Sequence, residues 1–329
     1  GQPAWIVKSD VVEAAITKHG GMMAPVSFHL GSDKVVQPYY LSPWQDTPEK
    51  PKNPVHAALR GDFFCLPFGA ASTFRGEVYR QHGDAANDEW SRPDWDRSNG
   101  VTMFSATFDT TRPPGAITKR VYLREAETVV YTVHELRGYS ARTPLGHHAI
   151  LGSTSEAPLR VSTSPIKFGM IAPEPAQPWL NESYSALQPG ARFDRIEAVP
   201  TRWITDPDTD CSIFPNRRGF TDLLAIFQRE TYSTNPAWVV AARPNQGYLW
   251  FSLKDPGVLP ATIVWMDNHG RYSPPWYGRN QSIGLEDVCS YFAFGLKDSV
   301  RDNPLHRQGV PTVLPLNPTQ ATYVRYIQG

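Results

Sequence analysis

The chain has 329 residues, with Lys plus Arg equal to Asp plus Glu at 32 each, so its formal charge is zero and no global field favours nucleic acid or an anionic membrane. Its 31 prolines are scattered along the whole length, at roughly twice the ordinary usage of about 5%. They argue against long helices, because an interior Pro removes a donor and clashes with the preceding turn. No apolar run approaches the roughly 18 residues of a membrane-spanning helix, which leaves a soluble chain with a neutral partner as the simplest expectation.

Three widely spaced cysteines, Cys65, Cys211 and Cys289, form no C-x-x-C pair, so neither a disulfide framework nor a zinc site is expected, and at most one disulfide remains open. The chain starts at Gly1 without Met, as a tag remnant or a processed start would, and we lean toward export while leaving the compartment undecided. The 10 Trp and 14 Tyr suit stacking on sugar rings, although core packing accounts for most of them.

In chain order, the first expected element is a short helix over Ser9 to Lys18, where Asp10 and Glu13 have capping-box spacing. A Pro-rich stretch from Ser42 to Pro54 reads as a long loop. Leu59-Arg-Gly-Asp-Phe-Phe-Cys-Leu-Pro-Phe-Gly69 is an apolar strand entered by an Arg, and His82-Gly-Asp-Ala-Ala-Asn-Asp-Glu-Trp90 follows it. Val101 to Asp109 alternates with period two, and after the turn-like Thr111-Arg-Pro-Pro-Gly115 come Ile117 to Leu123 and Thr128 to His134. These three strands predict an antiparallel meander.

Pro144-Leu-Gly-His-His-Ala-Ile-Leu151 is another polar-bearing apolar stretch, and adjacent residues of a strand face opposite sides, so His147 and His148 cannot jointly chelate one metal. Further strands are expected at Arg160 to Ser164, Trp238 to Ala242, Tyr248 to Leu253, Ala261 to Met266 and Thr322 to Ile327. A second short helix is expected over Thr221 to Arg229. Ile263-Val-Trp-Met-Asp267 leads through a Pro- and Tyr-rich loop to Ser282-Ile-Gly-Leu-Glu-Asp-Val288, where Glu286 is a carboxylate set among apolar strand residues and must be paired, exposed or functional. No repeat, low-complexity tract or charge block divides the chain, so residues 1–329 read as one domain. The absence of G-x-x-x-x-G-K-S/T, G-x-G-x-x-G, G-x-S-x-G and H-E-x-x-H removes the main support for nucleotide, serine-hydrolase and zincin chemistry.

Taken in order and spacing, these stretches resemble the galactose-mutarotase superfamily, nearest to its aldose 1-epimerase and hexose-6-phosphate mutarotase branches. Arg60-Gly61 with Leu66-Pro-Phe-Gly69 looks like the family's Arg-Gly-Gly strand ending in Pro-x-Phe-Gly. His82-Gly83 with Trp90 looks like its His-Gly-Phe-Ala-Arg segment and following Trp. Leu145-Gly-His-His148-Ala looks like the strand presenting the catalytic His, Val264-Trp-Met-Asp267 and then Glu286 like the strands ending at the catalytic Glu, and His19-Gly-Gly-Met-Met-Ala-Pro25 like the opening strand. The match runs over roughly residues 19 to 295.

The resemblance implies an all-β galactose mutarotase-like supersandwich of many antiparallel strands with few short helices, and a shallow groove on one sheet. It implies Glu286 as general base and His148 as general acid in opening a hemiacetal, with His82, Arg60, Asp267 and Trp90 around a small sugar or an oligosaccharide, Trp276 or Tyr277 as a further stacking surface, and neither metal nor cofactor. Where the phosphate-binding branch has Arg after His-Gly-Phe-Ala, this chain has Ala86, which points to an unphosphorylated sugar. Asp62, Ala149 and Asp287 also depart from the family pattern.

The residues alone leave alternatives. His147 takes the place of His148 if the strand register is off by one. His82 also suits a turn, Arg60 a surface ion pair, and Asp267 an Asx-type cap before Asn268-His-Gly270. At the level of function, the rivals to an aldose isomerase are a non-catalytic carbohydrate-binding protein and a polysaccharide lyase or hydrolase on the same fold.

Overall fold

A computed structural model describes residues 1–31, 33–45, 47, 51–174, 183–228 and 235–329. Two large antiparallel sheets make up most of it. The nine-stranded sheet contains the expected meander, Val101–Thr111, Pro114–Arg124 and Val130–Arg137, paired in sequence order. Thr322–Gln328 then lies between Val130–Arg137 and Tyr248–Lys254, and Ala237–Arg243 and Leu159–Thr163 extend the sheet. Its buried and exposed residues alternate because one face packs inward and the other is wet.

The eight-stranded sheet is different. Its central strands Phe220–Gln228, Ala261–Asn268 and Gln281–Cys289 are buried almost continuously. One face meets the nine-stranded sheet through a core that includes Phe64, Leu145, Leu224, Val264, Leu285 and Tyr326. The other face lies under a second apolar cluster built from loops and short elements, including Trp44, Val55, Phe63, Phe68, Trp276 and Phe292. A strand covered on both faces loses the period-two signature.

That explains one correction: the segment expected as a helix over Thr221 to Arg229 is the strand Phe220–Gln228, while Arg229 lies outside the described residues. The segment from Ser9 to Lys18 is also extended, as the strand Val12–Thr17, whose Val12, Ala14 and Ile16 point into the core. Burial on alternate residues outweighed the capping-box spacing. Of the Ser42 to Pro54 stretch, residues 46 and 48–50 lie outside the described residues, and Pro54 opens the five-residue helix Pro54–Ala58 with Asn53 as its cap. The cysteines are buried and unpaired, so no disulfide forms. No helix among the described residues is long and apolar enough to cross a membrane.

Candidate active site

On the outward face of the eight-stranded sheet is a cleft of about 370 Å³, and its lining includes His56, His82, His148, Trp265, Arg271, Trp276 and Glu286. Glu286 reaches it from the Gln281–Cys289 strand, directly across the ladder from Ile263, and Trp265 is paired to Gly284 on the same face. A Cβ at Gly284 would sit 2.5 Å from Glu286 Oε1, so the missing side chain gives the carboxyl its space. His148 sits between the short strands Leu145–His147 and Ala149–Gly152, anchored by its backbone N–H to the carbonyl of Phe63. Its imidazole stacks on the Phe63 ring at 4.6 Å and 16°, which fixes the plane of the ring.

The two groups meet. His148 Nε2 is 3.4 Å from Glu286 Oε1, and both side chains are almost entirely sheltered. Burial raises the Glu286 carboxyl well above its usual range and lowers His148 to about 4. Both shifts favour the uncharged forms, a carboxylic acid beside a neutral imidazole.

His82 packs edge-on to His148 with ring centres 4.8 Å apart. Its backbone is left-handed at φ 59°, and the next residue, Gly83, has φ 77° and a position where a Cβ would lie 1.9 Å from the carbonyl of Leu66. Nδ1 of His82 accepts from the Gly69 N–H at 3.3 Å, which leaves Nε2 as the protonated nitrogen. Burial, with His148 and His56 adding to it, holds this imidazole neutral.

Three other residues that the sequence placed around the sugar lie elsewhere. Arg60 is buried beside the cleft wall, where Nε donates to the carbonyl of Ala58 at 3.0 Å and the guanidinium also bonds Gln45. It ties down the segment that presents His56. Asp267 is on the same sheet face as Glu286, but its carboxylate accepts from the Gly270 N–H at 3.0 Å and from Asn280 Nδ2 at 2.6 Å, as the turn alternative required. Trp90 is in the inter-sheet core, donating to the carbonyl of Ala85 at 2.8 Å, with Lys119 above its ring. Of the two further stacking candidates, Trp276 lines the cleft and half-exposed Tyr277 is not among the lining residues.

The sequence reading missed His56, Trp265 and Arg271. Trp265 stood inside a quoted strand, where its alternation with Asp267 was signal enough to assign it to the cleft face. His56 comes from the five-residue helix Pro54–Ala58 and Arg271 from an isolated bridge to Ser183, both too short to carry a readable periodicity. Among the described residues no cluster of three or more His, Cys, Asp or Glu has the geometry to hold a metal ion.

The inward-facing neighbours of the pair join a buried polar network, in which His147 Nε2 and Asp62 Oδ1 find no partner. His147 Nδ1 is 2.9 Å from Asp62 Oδ2, Gln328 donates to the same oxygen at 2.8 Å, and the His147 ring stacks on Tyr326 at 4.0 Å. Burial pushes the Asp62 carboxyl up, but His147, Lys119 and Gln328 together outweigh it and hold the group below its usual range. Asp287 accepts from Lys254 Nζ at 2.7 Å, Thr262 at 2.6 Å, Ser252 at 2.7 Å and Tyr326 at 2.9 Å. Two of the family departures, Asp62 and Asp287, are therefore members of one inter-sheet network.

No protein-family model matches the sequence, and no curated protein matches it. Solved structures do. A galactose mutarotase related enzyme from Lactobacillus acidophilus superposes with a TM-score of 0.60 at 12% identity, covering 99% of this chain and 96% of that one. A galactose mutarotase-like protein from Clostridium acetobutylicum gives 0.60 at 11%, covering 98% and 94%. The galactose 1-epimerase of Lactobacillus acidophilus gives 0.54 at 11%, covering 98% and 92%. With near-complete coverage in both directions at such low identity, what is shared is the architecture, and the chain has the all-β galactose mutarotase-like fold.

Proposed function

We propose that the protein is an aldose 1-epimerase-like isomerase that interconverts the anomers of an unphosphorylated sugar, with Glu286 and His148 as its proton-transfer pair. The observation that carries this reading is the 3.4 Å approach of His148 Nε2 to Glu286 Oε1 in the wall of a sugar-sized cleft. We take residues 1–329 as one unit, supported by a core that draws on residues from Val7 to Tyr326.

Opening a hemiacetal requires removal of the anomeric hydroxyl proton while the ring oxygen gains one, and each positioned group contributes roughly 10²- to 10⁴-fold. With the shared proton on His148, Glu286 takes the hydroxyl proton and His148 protonates the ring oxygen. The pair is then left as carboxylic acid and neutral imidazole, the forms that burial favours. After rotation about C1–C2 of the open-chain aldehyde, the same pair closes the ring on the other carbonyl face: Glu286 returns a proton to the carbonyl oxygen and His148 removes the one on the attacking hydroxyl. No net proton is consumed, so one shared proton suffices. His82, with Nε2–H as donor, binds a sugar hydroxyl, and Trp265 and Trp276 supply the apolar wall on which the ring stacks.

Polarimetry on freshly dissolved α-anomers tests this reading. Catalytic amounts of protein are expected to speed equilibration of at least one aldose, and Glu286→Gln to abolish the effect while sugar binding persists. Sugar binding without any rate change would leave a carbohydrate-binding protein instead, and new reducing ends or an unsaturated uronate product would leave a hydrolase or a lyase.

A further inference from the structure

Ring opening as derived above makes no use of Arg271, the one Lys or Arg among the described residues that line the cleft. Its guanidinium lies 4.4 Å from the Trp276 ring centre and 5.8 Å from that of Trp265, and no carboxylate among the described residues comes within the 4.0 Å of an ion pair with it. The nearby carboxylate of Asp267 is already engaged by Gly270 and Asn280. Burial lowers the Arg271 pKa and Asp267 only partly opposes this, so the charge is kept at a cost that stacking on an indole face offsets in part. A planar fork of donors beside an aromatic wall is an arrangement that can receive a carboxylate with two parallel hydrogen bonds.

We propose that the substrate is a hexuronate, an aldose whose C6 is a carboxylate, and that Arg271 binds that carboxylate; this rests on the ring-opening role of Glu286 and His148. Placement supports it. The His148 ring centre is 6.3 Å from that of Trp265, so the anion receptor and the proton-transfer pair flank one indole. In a hexuronate the carboxylate is likewise adjacent to the ring oxygen. Charge supports a carboxylate over a phosphate. His82 and His56 are kept neutral, His56 lowered to about 4 by burial and by Arg271 itself, so one positive charge is available. Glu174 and Asp222 are also on the lining, and a phosphate dianion would face them with a single cation to balance it.

The test measures anomerisation rates by NMR exchange for glucuronate and galacturonate, their parent hexoses, and glucose 6-phosphate, with binding followed separately by saturation-transfer NMR. Wild type is expected to favour a uronate over its parent hexose in kcat/KM. Arg271→Gln is expected to reduce that preference roughly 10- to 100-fold, as the loss of a charge-assisted bond does, and Arg271→Lys to give an intermediate value. A wild-type preference for neutral hexose or for the phosphate, absence of uronate binding, or an unchanged preference in Arg271→Gln overturns the inference. Turnover of hexoses without uronate binding sinks this inference alone. Arg271-dependent uronate binding without turnover of any sugar sinks the isomerase reading and leaves the anion site standing.

Discussion

Two adjacent pairs of residues, His147 with His148 and Glu286 with Asp287, send their side chains to opposite faces of the same sheet. The inward members, His147 and Asp287, enter buried networks in which Asp287 accepts three hydrogen bonds and pairs with Lys254. The outward members, His148 and Glu286, have each other at 3.4 Å and little else, and burial pushes both toward their uncharged forms. The residue types are matched across the sheet, yet the two carboxylates, Glu286 and Asp287, have very different sets of partners. A fully satisfied buried charge resists change, while an under-satisfied one remains available for proton transfer.

The largest expected effect is on the outward side. Glu286→Gln should reduce anomerisation at least about 10²- to 10⁴-fold in polarimetry without unfolding the protein. Its stability should even exceed wild type at neutral and alkaline pH. Because the folded carboxyl titrates above its unfolded value of about 4.3, the wild type has the full benefit of this group below that pH and loses it as pH rises through the folded value; glutamine does not titrate. Melting both proteins across pH checks the sign, and a variant equally or less stable at high pH would contradict the assignment of a raised carboxyl.

On the inward side, Asp287→Ala leaves the Lys254 ammonium buried and unpaired and should cost about 3–5 kcal/mol in urea unfolding. Adding Lys254→Met should recover part of the loss. If Asp287→Ala instead spared stability and removed activity, the contrast between the two faces would fail. The pH profile of kcat/KM is a finer probe: activity should fall below about 4 as His148 and Glu286 together acquire a second proton, and fall again on the alkaline side as the pair loses its shared one. A profile with only one limb would mean that only one of the two titrates in the reaction. The smallest effect is expected at Arg60→Met, about 1 kcal/mol of stability from its bonds to Ala58 and Gln45, with a minor change in KM for the sugar. A large rise in KM would return Arg60 to the substrate.

The contrast also marks what was legible in the sequence. The meander from Val101 to Arg137 was, because one face is wetter and burial alternates along much of its strands. Phe220–Gln228 was not, since a strand apolar on both faces looks like a helix core. At the site, alternation alone assigned His147 and His148 to different faces, and the family resemblance supplied the pairing of His148 with Glu286, two residues that no local pattern connects. It misjudged Asp267 and Trp90 because strand position gives the side of a sheet without the direction in which a carboxylate bends or the layer in which an indole is packed. His56 reaches the cleft from a one-turn helix and Arg271 from an isolated bridge, segments too short for a pattern, where three-dimensional closure alone decides who faces whom.

The place of Thr322–Gln328 in the nine-stranded sheet has a bearing on how the molecule is made. It is stitched between Val130–Arg137 and Tyr248–Lys254, and it carries Tyr326 and Gln328 into the inter-sheet network. On the ribosome, both flanking strands emerge well before it, with unpaired amide edges on either side of a gap and the Asp62 and Asp287 carboxylates short of donors. Until Thr322–Gln328 is made, each flanking strand has an unpaired amide edge, the feature that invites edge-to-edge pairing with another chain.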